Sequence, residues 1–144
     1  MWEILTAVDS YAIWNPFVVE VDTDQSTPEK GALMDFKVRF PGDESFSTSK
    51  ELVIEFDPPE EKDGTVGAKW VYDYASFPSK IGMIKATRIQ TLSQEPGQPV
   101  KYFSQETFSG WGSSFVPIKK VQAGFDAQTA GLKQAAEERA KISA

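Results

Sequence analysis

Trp70, Tyr72 and Tyr74 recur at every second position, the spacing that sets side chains on one face of a strand. Such a stripe can stack on an aromatic ligand and offer hydroxyls to a carbonyl. The commoner role of large aromatics is to fill a core while their polar tips stay wet. Arg88 shares strand parity with Ile84 and Ala86. On an inward face its guanidinium would anchor a carboxylate or an enolate, although most arginines lie at the surface or in ion pairs. Glu106 shares a face with Tyr102, Ser104 and Phe108, while Lys101, Phe103, Gln105 and Thr107 face the other way. The chain has no histidine and no cysteine. That excludes Ser-His-Asp and Cys-His arrangements, disulfides and cysteine-based metal sites. Any proton transfer falls to Asp, Glu, Lys, Tyr, an ordered water or the shape of a pocket.

The elements that must position these groups are legible from periodicity. Trp2 to Val8 places Ile4, Leu5 and Val8 near one face of a helix, which Asp9-Ser10 ends. Tyr11 to Trp14 then leads into Asn15-Pro16, where proline biases Asn15 away from helical geometry. Phe17 to Val21 reads as a short strand and Asp22 to Lys30 as a polar loop. Met34, Phe36, Val38 and Phe40 alternate with polar residues, and Pro41-Gly42-Asp43-Glu44 turns the chain. Leu52, Ile54 and Phe56 alternate against Val53 and Glu55 in a strand that Pro58-Pro59 is expected to end. Lys69 to Tyr74, Ile84 to Leu92 and Val100 to Phe108 follow as strands. Ile118 to Ile142 has helical period, with Val121, Phe125, Leu132 and Ala136 on one side and Gly124 and Gly131 interrupting. A mid-helix glycine costs about 1 kcal/mol against alanine, so close packing is expected at both.

The order predicts one α+β domain over residues 1–144, with a curved antiparallel sheet wrapped around a long C-terminal helix. A sheet of five or more strands twists and coils, and its concave side needs a cover. Sheets closed in this way often leave space for a small molecule. The net charge of −6 argues against nucleic-acid binding. No apolar run reaches the roughly 18 residues of a membrane span, and an acidic residue stands where a secretory signal would be basic, so a cytoplasmic protein is expected. The acidic stretch Pro58 to Asp63 lacks metal-ligand spacing and reads as solvated charge. No metal and no cofactor is expected.

Three motifs sharpen this reading. Trp2-x-x-Leu5-Thr6, then Tyr11, then Trp14-Asn15-Pro16-Phe17 resembles the opening of the polyketide cyclase/dehydrase-like branch of the SRPBCC (START-like, helix-grip) superfamily. Glu106-Thr107-Phe108-Ser109-Gly110 is similar to its Glu-x-Phe-Ser-Gly strand, and Gly131-Leu132-Lys133 with Ala136-Glu137 to its C-terminal helix. The resemblance implies that the Glu106 face looks into a cavity, where partial desolvation would suit a carboxyl to shuttle a proton near neutrality. A structural carboxylate holding an amide or a basic partner is the plainer role. The resemblance also places Trp14 near the pocket mouth. Phe36, Trp70, Tyr72, Tyr74, Arg88, Tyr102, Ser104, Phe108, Phe125 and Leu132 are the other candidate ligand contacts.

Two departures matter. Family members usually carry a strand before the first helix, and here that strand is expected to be missing. That would expose the Val100 to Phe108 edge, to be paired by another segment or by a second subunit in a homodimer. The penultimate strand also lacks the histidine that related sequences often turn toward the cavity. The expected function is binding of a small hydrophobic ligand (a lipid, polyketide or related metabolite) as a carrier. The alternatives are a cofactor-free cyclase/dehydrase-like enzyme of secondary metabolism, and a non-catalytic interaction domain.

Overall fold

The computed structural model describes residues 1–24 and 27–143. Gln25 and Ser26, within the expected polar loop, and Ala144, at the end of the expected domain, lie outside the described residues. The chain opens with helix α1 (Trp2–Thr6), a 3-10 turn at Val8–Ser10 and helix α2 (Tyr11–Trp14). Six strands follow: β1 (Val18–Asp22), β2 (Leu33–Val38), β3 (Ser47–Lys62), β4 (Thr65–Tyr74), β5 (Lys85–Gln94) and β6 (Lys101–Ser109). A one-turn helix, α3 (Phe77–Lys80), separates β4 from β5, and the long helix α4 (Ile118–Ser143) ends the chain. The strands form one open antiparallel sheet in sequence order, a helix-grip-like arrangement. Among the described residues β6 pairs only with β5, so it forms one edge and β1 the other. No described helix is long and apolar enough to cross a membrane.

Two expectations about β3 are corrected. The strand does not stop at Pro58-Pro59. It continues to Lys62, and the ladder shifts register between Asp57 and Glu60, where the prolines sit without donating to it. Asp63 (φ 53°) and Gly64 (φ 82°) then close a two-residue hairpin between the paired Lys62 and Thr65. Both left-handed positions are what a type I′ turn requires. The acidic stretch is therefore a hairpin arm.

The alternation within β3 is also inverted at its start. A bulge at Ile54 lets Val53 pair with Tyr72 and Phe56 with Trp70, so both face inward. Leu52 and Ile54 take the opposite face, and Glu51 turns inward with Val53.

The core lies between the sheet's inner face and the helices. Leu5 and Val8 from the N-terminal turns pack with Met34, Phe36, Val53, Trp70, Tyr72, Phe125 and Leu132. Trp70 stands edge-on to Phe56 and tilted against Tyr72, which itself meets Phe36 edge-on. Helix α4 reaches this face through Phe125, Gln128 and Leu132, spaced to project from one side. Its glycines make that approach feasible. A Cβ on Gly124 would lie 2.2 Å from the Phe17 ring, and one on Gly131 would lie 2.5 Å from the Trp14 carbonyl oxygen. The Asn15 side chain fixes the other side of the contact by accepting hydrogen bonds from the amides of Phe17 and Val18, both 3.0 Å.

Candidate functional site

Antiparallel register aligns the functional side chains in a row across the sheet. Tyr72 on β4 pairs with Arg88 on β5, and Arg88 pairs with Glu106 on β6. The next row holds Trp70, Gln90 and Ser104. Because cross-strand neighbours on one face stand about 5 Å apart, register alone brings these polar groups together.

Arg88 is the centre of the arrangement, at 3% exposure. Its Nε donates to Ser104 Oγ (3.1 Å), and Nη1 donates to the Tyr72 hydroxyl (2.9 Å) and Gln128 Oε1 (3.3 Å). Nη2 reaches the same Gln128 oxygen at 3.4 Å. The guanidinium carbon lies 3.9 Å from the centre of the Phe125 ring, within cation–π range. No carboxylate among the described residues forms an ion pair with it. Burial works against its charge, but Tyr72, Tyr102 and Glu106 more than offset this, and its pKa lies above the ordinary value.

Tyr72 also accepts from Gln90 Nε2 (3.2 Å), and Gln90 Oε1 accepts from the Tyr102 hydroxyl. Replacing Tyr72 with Phe would leave two buried donors short of their acceptor. Tyr72→Phe is expected to destabilise the fold by about 1–2 kcal/mol, read as a lower urea midpoint at unchanged slope.

Beside this network lies an open cavity of about 290 Å³. Phe17, Phe36, Val38, Phe108, Val121 and Phe125 supply its apolar wall, and Glu51, Tyr72, Arg88 and Glu106 its polar groups. Burial raises the Glu106 pKa, and the nearby Arg88 only partly counters it. Glu51 is shifted further, to about 8, by burial first and then by the Glu106 carboxyl. The hydrogen bond it accepts from Ser49 Oγ (3.0 Å) and the Arg88 charge pull the other way without prevailing. At neutral pH Glu51 is therefore mostly protonated and can donate a hydrogen bond.

The chain is similar in fold to a solved protein. That protein, a hypothetical protein from Helicobacter pylori known from a crystal structure, superposes with a TM-score of 0.62 at 15% sequence identity. The match covers 90% of this chain and 74% of the other. At that identity the likeness concerns the fold alone. No protein-family model and no curated protein matches the chain.

Of the candidate residues, Phe36, Tyr72, Tyr74, Arg88, Glu106, Phe108 and Phe125 line the cavity. Five do not. Trp70 and Leu132 are fully buried in the core, and Trp14 packs edge-on against Tyr11 beneath α4. Ser104 and Tyr102 do not line the cavity and are instead tied to Arg88 and Gln90. Sequence reasoning missed Glu51, Gln90 and Gln128. Gln90 shares parity with Arg88, and Gln128 lies three residues from Phe125, so both signals were present. Glu51 carried none, because the bulge at Ile54 reverses the apparent facing of its strand.

Proposed function

We propose that this chain binds a small, largely hydrophobic molecule in the cavity between its sheet and its C-terminal helix, as a carrier or binding protein. The observation that supports this best is the cavity itself: apolar walls with a few polar groups converging at one place, the usual build of a small-molecule site. Its volume is at the lower end for such sites and suits a compact ligand. The order of elements and the close seat of Gly131 on the Trp14-Asn15-Pro16 turn support membership of the helix-grip, START-like group.

A second reading has its own support. Glu51, with a pKa near 8, and Glu106, also raised, stand in one cavity, and carboxyls titrating near neutrality suit proton transfer. A cofactor-free cyclase/dehydrase-like activity on a polyketide-like substrate would use them. The interaction-domain alternative finds no support in a cavity that stands open.

Calorimetric titration with 1-octanol tests the binding reading. Saturable binding is expected for the wild type. Val121→Trp, which places an indole in the cavity from α4, is expected to weaken binding tenfold or more with the circular dichroism spectrum retained. A folded Val121→Trp protein that binds octanol as tightly as the wild type would refute the assignment.

A further inference from the structure

The polar end of the cavity has an excess of hydrogen-bond donors over neutral acceptors. A guanidinium has five N–H groups. Four contacts account for four of those on Arg88: one to Ser104, one to Tyr72 and two to Gln128. The remaining N–H, on Nη2, has no acceptor among the described residues. The Tyr72 hydroxyl accepts from Arg88 and from Gln90, which uses its lone pairs and leaves its own proton undonated. Ser104, Gln128 and Tyr72, the groups hydrogen-bonded to the guanidinium, are neutral. The positive charge is thus held by neutral hydrogen-bond partners, with one Nη2 N–H free on the side where Nε meets Ser104, and Arg88 lines the cavity.

We propose that the cavity selects an amphipathic acid, an apolar molecule carrying one carboxylate or enolate oxygen pair, with the anionic end at the free N–H of Arg88. The inference rests on the binding reading above and deepens it. A charge-assisted hydrogen bond from the one free guanidinium N–H favours an anionic oxygen over a neutral hydroxyl. The apolar body would lie along Phe36, Val38 and Phe108, away from the guanidinium that Phe125 covers.

The titratable groups around Arg88 set the pH dependence. Glu106 faces it from β6, Glu51 from β3, Tyr72 from β4, Tyr102 from β6 and Tyr11 from α2, while α4 presents neutral Gln128. An anion entering this space is repelled by any ionised form of Glu51 and Glu106, so its binding is coupled to their protonation. Both carboxyls have raised pKa values, Glu51 about 8. Affinity for an acid that stays ionised throughout must therefore fall as pH rises through that range.

Titration calorimetry of the full chain with three probes of equal length, octanoate, 1-octanol and octylamine, decides the matter. At pH 6.5 octanoate is expected to bind at least tenfold more tightly than octanol, with octylamine weakest. Between pH 6.5 and pH 9 the octanoate advantage is expected to shrink fivefold or more. Arg88→Gln is expected to remove the advantage. Glu106→Gln, which keeps Arg88 and removes the neighbouring charge, is expected to raise octanoate affinity severalfold and reduce its pH dependence. Equal binding of octanoate and octanol, or tighter binding of octylamine, would overturn the anion assignment and leave the cavity reading intact. Absence of binding by all three probes would overturn both.

Discussion

Replacing Glu51 with Gln is expected to stabilise the protein at pH 9 by roughly 5 kcal/mol and to change its stability little at pH 4. A carboxyl whose pKa rises on folding from 4.5 to about 8 binds its proton more tightly in the folded state. Its contribution to stability is fully present below pH 4.5, the unfolded value. It is lost progressively as pH rises through the folded value near 8, since the folded state must then either keep the proton or bury a charge. Glu106 acts in the same direction, so some pH dependence persists in the variant. Gln keeps the length and the acceptor that Ser49 uses, but cannot ionise. Urea unfolding of both proteins from pH 4 to pH 9 provides the test. Converging curves at low pH and diverging ones at high pH are expected, and parallel curves would show that Glu51 titrates normally. The same experiment bears on function, because a buried carboxyl kept at the expense of stability is a common mark of a site.

Gly131→Ala and Gly124→Ala should each lower stability by roughly 2–3 kcal/mol, although alanine is favoured over glycine within a helix by about 1 kcal/mol. The two effects have opposite signs, which makes the measurement decisive. Helix propensity acting alone would raise the melting temperature. In this fold the added Cβ of Gly131 meets the Trp14 carbonyl oxygen, a backbone atom that cannot rotate away. That of Gly124 meets the Phe17 ring, which also packs against Phe40 and Phe125. In either variant α4 must lift from the Trp14–Phe17 turn, which also moves Phe125 and Gln128 away from Arg88. A rise in thermal stability for both variants would mean that α4 does not sit this close.

These contacts also explain how much the sequence discloses. The 3.6-residue period of the last segment sets helix α4 within a residue of its observed end, and the two glycines within it mark its points of closest approach. Alternation in Met34–Phe40 and Lys69–Tyr74 identifies the inner faces of β2 and β4, although Val71 on the other face of β4 is buried as well. In β3 this logic fails. A single unpaired residue, Ile54, shifts the facing by one, and bulges have no reliable signal in apolar pattern. The prolines of the same strand read as an ending because a regular ladder cannot use them, while an irregular one can. The consequence for the site is specific. Glu51 sits on the part of β3 whose facing the bulge disguises, so the most perturbed carboxyl of the cavity is the one that periodicity conceals. Arg88, Tyr72 and Glu106 are legible because β4, β5 and β6 pair without interruption, so parity along each strand carries across the sheet.

The central claim is that a hydrophobic molecule occupies the space between Phe36 on β2, Phe108 on β6 and Phe125 on α4. Isotope-filtered nuclear Overhauser spectroscopy of the labelled chain with 1-octanol measures that occupancy directly. The expected result is a set of contacts from the octanol methylenes to the rings of Phe36, Phe108 and Phe125 and to the methyls of Val38 and Val121. Contacts confined to exposed groups such as Phe77, Trp111 and Ile142, or none at saturating octanol, would contradict it.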